Sequence, residues 1–234
     1  MPATTTEGLK RRAAEHALAY VEPGMVLGLG TGSTVAHFTE LLGDALRSGE
    51  LSDIVCVPTS ERTERAARAA GIELVGLGDR PSLDLAIDGA DEVSPDVDLI
   101  KGMGGALLRE KMVAQASRRF VVIADAGKQV ERLGTRSPLP LEVVEWGIQA
   151  HVRFLRALGA DVEVRSGRGG KPARSDNGNL FLECRFPGGI EDPLGLERML
   201  AGRAGVVETG LFLGLASEAV IAGEDGVRLL RREP

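Results

Sequence analysis

Three features of the chain predict an α/β fold. Short apolar runs alternate with amphipathic segments of helical period between residues 9 and 124, the order then changes to β-α-β-β-α-β, and two apolar runs close the chain. Strands that alternate with helices pair in parallel, because a parallel connection needs a crossover, and the crossovers cover both faces. The prediction is a Rossmann-like, mainly parallel sheet with helices on both faces, over residues 1–134 and 213–234. A small ferredoxin-like α+β lid domain is expected as an insertion over residues 135–212.

The elements follow in order. Leu9, Ala13, Ala17 and Val21 recur every four residues and predict a helix that stops at Pro23-Gly24. Met25–Leu29 reads as a buried strand, Gly30–Thr34 as a turn, and Val35, Phe38, Leu42 and Leu46 as one helix face. Strand Ile54–Val57, helix Glu61–Ala70, strand Glu73–Leu77 and strand Leu83–Ile87 come next. Strand Asp98–Ile100, helix Ala106–Ser117 and strand Phe120–Ala124 complete the first part. Gly134, Pro138 and Pro140 mark a linker. The insertion then reads as strand Leu141–Val144, helix Ile148–Leu158, strands Val162–Val164 and Leu180–Phe186, helix Leu194–Ala201 and strand Val206–Phe212. Gly167–Asn179, rich in glycine and charge, is expected to be an exposed hairpin loop. Ala216–Ala222 and Val227–Leu230 are expected to return to the first sheet.

Composition narrows the function classes. Of 234 residues, 43% are hydrophobic and 26% charged, which is globular rather than disordered. Aromatics are only 3%, so the core rests on Leu, Val, Ile and Ala, and no base-stacking platform for nucleic acid is expected. A net charge of −6 argues against binding a phosphate backbone but leaves room for a local basic pocket. Cys56 and Cys184 lie in apolar runs and read as buried thiols of a reducing compartment. The first residues lack an apolar leader, and no run approaches the ~18 apolar residues that span a bilayer, so a cytoplasmic protein without membrane contact is expected.

The candidate chemistry gathers at strand ends. Gly28-Leu29-Gly30-Thr31-Gly32-Ser33-Thr34 joins a strand to a helix, where glycines admit close approach, free amides attract an anion, and the hydroxyls of Thr31, Ser33 and Thr34 add donors. The same residues also suit a tight turn with Ser or Thr caps. The run lacks the third glycine of a dinucleotide fingerprint and the lysine of a P-loop. Asp88 and Asp91 flank Gly89-Ala90 where an apolar run stops, with Glu92 beside them; capping carboxylates and a reactive pair both fit. Lys101 follows Ile100 directly and heads a turn of Gly102, Met103, Gly104 and Gly105. A lysine there is costly unless it enters a polar site or reaches solvent. Glu110 lies between Arg109 and Lys111, a triple that by spacing alone reads as a solvated helix face. Lys128 and Lys10 are further cations that suit a phosphate or the surface. His16, His37 and His151 have no partners at metal-ligand spacing, so neither metal nor cofactor is expected.

Several of these segments together resemble the type A ribose-5-phosphate isomerases. They are Gly-Leu-Gly-Thr-Gly-Ser-Thr (28–34), Pro-Thr-Ser-Glu-Arg-Thr (58–63), Asp-Gly-Ala-Asp-Glu (88–92), Lys-Gly-Met-Gly-Gly-Ala-Leu-Leu-Arg-Glu-Lys (101–111), Ala-Asp-Ala-Gly-Lys-Gln-Val (124–130) and Asp-Asn-Gly-Asn (176–179). The resemblance runs nearly end to end. It implies interconversion of ribose 5-phosphate and ribulose 5-phosphate through a cis-enediolate, in the non-oxidative pentose phosphate pathway, without cofactor or metal. It implies Glu110 as the base, Lys101 as the enediolate partner, and Asp88 with Asp91 for ring opening. Thr31, Gly32, Ser33, Thr34, Asp88, Gly89, Ala90, Asp91, Lys101, Gly102, Met103, Gly104, Lys128 and Lys10 become the substrate site. A homodimer or homotetramer is usual for the family. A sugar-phosphate sensor would carry a DNA-binding helix pair, for which no room is seen before Met25. A deaminase or lactonase on this fold would place a histidine in the site, and none follows Asp88 until His151.

Overall fold

The computed structural model describes residues 5–232; residues 1–4 and 233–234, which the expected first domain includes, lie outside it, as does the side chain of Arg168. The chain opens with α1 (Thr6–Leu18), capped by Thr5, whose hydroxyl accepts the Gly8 N–H. Then come β1 (Val26–Leu29), α2 (Ser33–Ser48), β2 (Val55–Pro58), α3 (Glu61–Ala69), β3 (Glu73–Leu74) and β4 (Leu83–Asp88). Next are β5 (Glu92–Val93), β6 (Leu99–Ile100), α4 (Leu107–Ala116) and β7 (Ser117–Asp125), followed by a single 3-10 turn, Ala126–Lys128. The chain continues through β8 (Leu139–Val143), α5 (Ile148–Ala157), β9 (Asp161–Val164), β10 (Leu180–Arg185), α6 (Pro193–Ala201) and β11 (Val206–Thr209). It closes with β12 (Leu211–Phe212), β13 (Glu218–Gly223) and β14 (Gly226–Arg231).

The largest sheet has the order β14-β13-β7-β4-β1-β2-β3, parallel throughout except for the β13–β14 hairpin at one edge. Side chains alternate between its faces. Leu27, Leu29, Leu85, Ile87, Val121 and Ile123 pack with α1 and α2 residues such as Ala13, Ala17, Phe38 and Leu42. Ala86, Phe120, Val122 and Ile221 face Val113 and Ala114 of α4 together with Phe212. From β1 the chain winds outward through β2 and β3, then returns to β4 on the other side of β1. The order therefore reverses between β1 and β4, and a crevice opens beyond their carboxyl ends.

The second sheet has the order β11-β8-β10-β9, antiparallel, with α5 and α6 packed on it. This is the predicted β-α-β-β-α-β arrangement, and the expected fold class holds.

Three expectations need correction. Residues 98–100 do not join the parallel sheet: β6 pairs antiparallel with β5 and β12 in a third, three-stranded sheet. The expected strand Val206–Phe212 is broken at Gly210, where a Cβ would meet the Lys101 carbonyl oxygen at 2.3 Å and Pro140 Cδ at 2.7 Å. The break passes the chain from the second sheet to the third. Pro140 is not a linker residue but pairs with Glu183 inside β8, and its carbonyl takes the Gly210 N–H at that break.

Glu92, fully buried, accepts the N–H groups of Gly134, Arg136 and Ser137, each at 2.6 Å. It anchors the crossing between sheets. Both cysteines are free and buried.

Candidate active site

The site begins at the reversal between β1 and β4. Gly30 N–H donates to the Ile87 carbonyl at 2.9 Å, and Thr31 N–H donates to Asp88 Oδ1 at 3.0 Å, so the turn after β1 is tied to the end of β4. Only glycine fits at position 30, because a Cβ there would lie 2.0 Å from the Asp88 carboxyl carbon. Asp88 Oδ1 also accepts the Gly89 N–H at 2.7 Å.

Asp88 Oδ2 is 3.0 Å from Lys101 Nζ, which also donates to the Gly89 carbonyl at 2.5 Å and lies 3.2 Å from Glu110 Oε1. Lys101 reaches there because β12 pairs with β6 and the Gly210 carbonyl receives the Lys101 N–H. Glu110 comes from the first turn of α4, which the glycine turn 102–105 launches. All three side chains are buried: Asp88 is 3% exposed, Lys101 2% and Glu110 3%.

The electrostatics follow from that burial. One ammonium faces two carboxyl groups where water cannot solvate them, so the second negative charge is disfavoured. Burial pushes the Glu110 carboxyl up to about 8; Lys101 opposes the rise and Asp88 adds to it. Burial also raises Asp88, while Lys101 and the two amide donors pull it back. For Lys101, burial works against the charge, but Asp88 and Glu110 outweigh it and hold the ammonium protonated. Glu110 Oε2 has no hydrogen-bond partner among the described residues.

Lys101 and Glu110 open onto a cavity of about 570 Å³, which both glycine turns and Asp91 also line. Lys128 and Lys10 reach its wall too; Lys10 is paired with Glu7 at 2.6 Å, whereas Lys128 has no carboxylate partner among the described residues. The α2 N-terminus, Gly32 to Thr34, enters without a side-chain cap among the described residues, so its amides can meet an anion. Among the described residues no group of three or more His, Cys, Asp or Glu is arranged to hold a metal ion.

The sequence profile of the family described as ribose 5-phosphate isomerase A (phosphoriboisomerase A) matches residues 55–226. The chain belongs to that family. A ribose-5-phosphate isomerase A from Chloroflexus aurantiacus is 52% identical over 228 residues, covering 97% of this chain and 95% of that one. Another, from Roseiflexus castenholzii, is 54% identical over 218 residues, 93% of each chain. A solved D-ribose-5-phosphate isomerase, described as a complex with phospho-erythronic acid, superposes with a TM-score of 0.96 at 40% identity, covering 98% of this chain and 100% of that one. A ribose 5-phosphate isomerase A from Methanocaldococcus jannaschii superposes at 0.92 with 37% identity, covering 97% and 100%.

Of the residues that the ribose 5-phosphate isomerase A resemblance implies, Thr31–Thr34, Gly89–Asp91, Lys101, Gly102, Gly104, Glu110, Lys128 and Lys10 converge on the cavity. Two do not reach its wall. Asp88 sits behind it, with both oxygens engaged by Thr31, Gly89 and Lys101. Met103 turns its side chain outward, 38% exposed, with its sulfur toward Arg165. Thr31 contributes differently from expectation: its hydroxyl is spent in a buried cluster with Thr59, Ser60 and Thr63 at 2.8–3.0 Å.

The triple 109–111 is not a solvated face. Arg109 binds Asn177 and the Asp176 carbonyl, and Lys111, buried, pairs with Glu208 at 2.6 Å. The expected loop 167–179 is exposed only in part. Ser175, Asn177 and Asn179 all donate to the buried Glu142. Sequence reasoning did not assign Thr6, Arg62 or Asp125, which also line the cavity. For Arg62 the signal was its place in Pro58–Thr63, just past the end of β2.

Proposed function

We propose that this cavity interconverts D-ribose 5-phosphate and D-ribulose 5-phosphate by proton transfer through a cis-enediolate, with Glu110 as the base. The observation that carries the reading is Glu110, which lines the cavity with its buried Oε2 unpartnered among the described residues while its other oxygen is bonded to a buried lysine. A base poised near neutral pH can take a carbon-bound proton and give it back. In the forward direction Glu110 removes the C2 proton of the open-chain aldose, the C1 carbonyl oxygen gains the negative charge, and Lys101 with nearby amides stabilises it. The proton returns at C1, and the proton of the C2 hydroxyl passes to O1 as C2 becomes the ketone. This division of labour follows the handling of an enediolate by a carboxylate and an electrophile in other aldose-ketose isomerases.

Asp91, on the cavity wall, handles the hydroxyls in ring opening. Asp88 acts through Lys101, because its own oxygens are occupied. Lys128 and the α2 N-terminus hold the 5-phosphate, and the description of a 40%-identical relative in complex with phospho-erythronic acid supports a small phosphorylated ligand. The small unit, residues 135–212, braces the glycine turn from behind the cavity, supported by the contact of Arg165 with Gly102. From the family resemblance we further propose a homodimer or homotetramer in the cytoplasm. Among the described residues, no helix is long and apolar enough to cross a membrane.

The deciding experiment incubates the pure protein with ribose 5-phosphate in deuterated water. Ribulose 5-phosphate should form, with solvent deuterium at its C1. Product formed without any solvent label at early times would replace proton transfer with a hydride shift, and no product would end the isomerase reading.

A further inference from the structure

We propose that Arg165, on the small antiparallel sheet, is a positioning residue: with Asp91 it clamps the Gly102–Met103 peptide and so aims the amide donors of the glycine turn. The proposal rests on the isomerase reading of the cavity. Arg165 Nη1 donates to the Gly102 carbonyl at 3.1 Å. The N–H of the same peptide unit, on Met103, donates to Asp91 Oδ2 at 3.0 Å. One peptide plane is therefore held by a cation at its oxygen and a carboxylate at its nitrogen, from different sheets of the molecule.

The guanidinium is itself fixed. Its Nε donates to Glu183 Oε1 at 2.6 Å, and its carbon lies 4.6 Å from the Phe181 ring centre. The Arg165 N–H is bonded to the Phe181 carbonyl at 2.9 Å, so the base of the side chain is set by pairing at the end of β9. Arg165, Glu183 and Phe181 are absent from the cavity wall, so the arginine acts through the turn rather than on the substrate.

The turn needs such a clamp. Gly102 and Gly105 have φ of 107° and 80°, a conformation that glycine adopts freely and that side chains do not brace. Apart from the clamp, the Gly105 N–H on the Gly102 carbonyl at 3.0 Å closes the turn. The N–H groups of Gly102 and Gly104, on either side of the clamped peptide, have no acceptor among the described residues, and both glycines line the cavity. They are positioned to meet charge that develops on an enediolate oxygen. Donors set in advance act mainly on the transition state, so loosening them lowers kcat more than it raises KM.

The test compares Arg165→Lys and Arg165→Met in the full chain. Lysine keeps a cation near Glu183 but lacks the planar fork that spans Glu183 and Gly102 together. In both variants kcat should fall at least ~10-fold, the scale of a small misplacement of catalytic groups, with KM for ribose 5-phosphate within about threefold of wild type. The pH at which kcat/KM levels off should not move, because Lys101, Asp88 and Glu110 keep their contacts. If Arg165→Met does not fold, Arg165→Lys and Glu183→Gln decide, the latter with a smaller fall of kcat in the same direction. Wild-type kcat in folded Arg165→Lys, or a raised KM with kcat unchanged, overturns the proposal. A wild-type protein inert toward ribose 5-phosphate would instead overturn the isomerase reading, so the two failures are distinct.

Discussion

Lys101 Nζ lies 3.2 Å from Glu110 Oε1, and both side chains are almost completely buried. A buried pair is a costly arrangement that apolar residues of similar size would often better for stability alone. Its presence on a cavity wall, with one Glu110 oxygen unpartnered among the described residues, is what the proposed chemistry rests on and the source of the tests below.

Glu110→Gln keeps shape and polarity but cannot take a proton from carbon. Steady-state kinetics should show kcat reduced by at least ~100-fold, the usual worth of a general base, with KM little changed. Exchange of the C2 hydrogen of ribose 5-phosphate with solvent should vanish in step. Near-normal turnover would remove Glu110 from the chemistry and leave Asp91 as the base.

The pH dependence follows from the raised Glu110 carboxyl. The base form is the carboxylate, so kcat/KM should rise with pH and level off above about 8. Stability should move the opposite way. A carboxyl with a raised folded-state pKa binds its proton more tightly folded than unfolded, so its contribution is present below the ordinary value of 4.5 and lost as pH rises toward 8. The melting temperature of Glu110→Gln relative to wild type should therefore increase from pH 5 to pH 8. A difference that does not change with pH would contradict the shift.

Lys128→Ala removes a cation from the cavity wall without touching the buried triad. KM for ribose 5-phosphate should rise by an amount equivalent to about 1–3 kcal/mol, the worth of one charge-assisted hydrogen bond, with a smaller effect on kcat. Added salt should narrow the gap between variant and wild type. Unphosphorylated ribose handled as well as the phosphate ester would contradict a phosphate role.

Gly30→Ala tests the crevice geometry. Its Cβ would fall 2.0 Å from the Asp88 carboxyl carbon, so Asp88 must move and release Thr31 N–H or Lys101. Thermal or denaturant unfolding should show a loss of about 1–3 kcal/mol from overpacking, and turnover should fall by more than the folded fraction accounts for. Wild-type activity would mean that the position of Asp88 does not matter to Lys101.

What the sequence determined by itself was local. Periods of two and of 3.6 residues, with glycine and proline as punctuation, were enough to predict the parallel sheet, the β-α-β-β-α-β insertion and the glycine turns at strand ends. The motif order from Gly28 to Asn179 was enough to point to the family. Tertiary structure decided the environment of each charge, because burial and pairing depend on residues distant along the chain. By spacing Glu110 belonged to a solvated face, yet Lys101 and Asp88 meet it out of water, and Lys111 beside it is paired with Glu208. The Thr31 hydroxyl, a candidate phosphate donor in its own motif, is taken by Thr59, Ser60 and Thr63. Asp88 and Asp91 look equivalent three residues apart, but one lies behind the cavity wall and the other on it. No local pattern separates them, since the strand-end direction of each carboxylate is set by what packs against it: Gly30 and Lys101 at Asp88, and the Met103 N–H at Asp91.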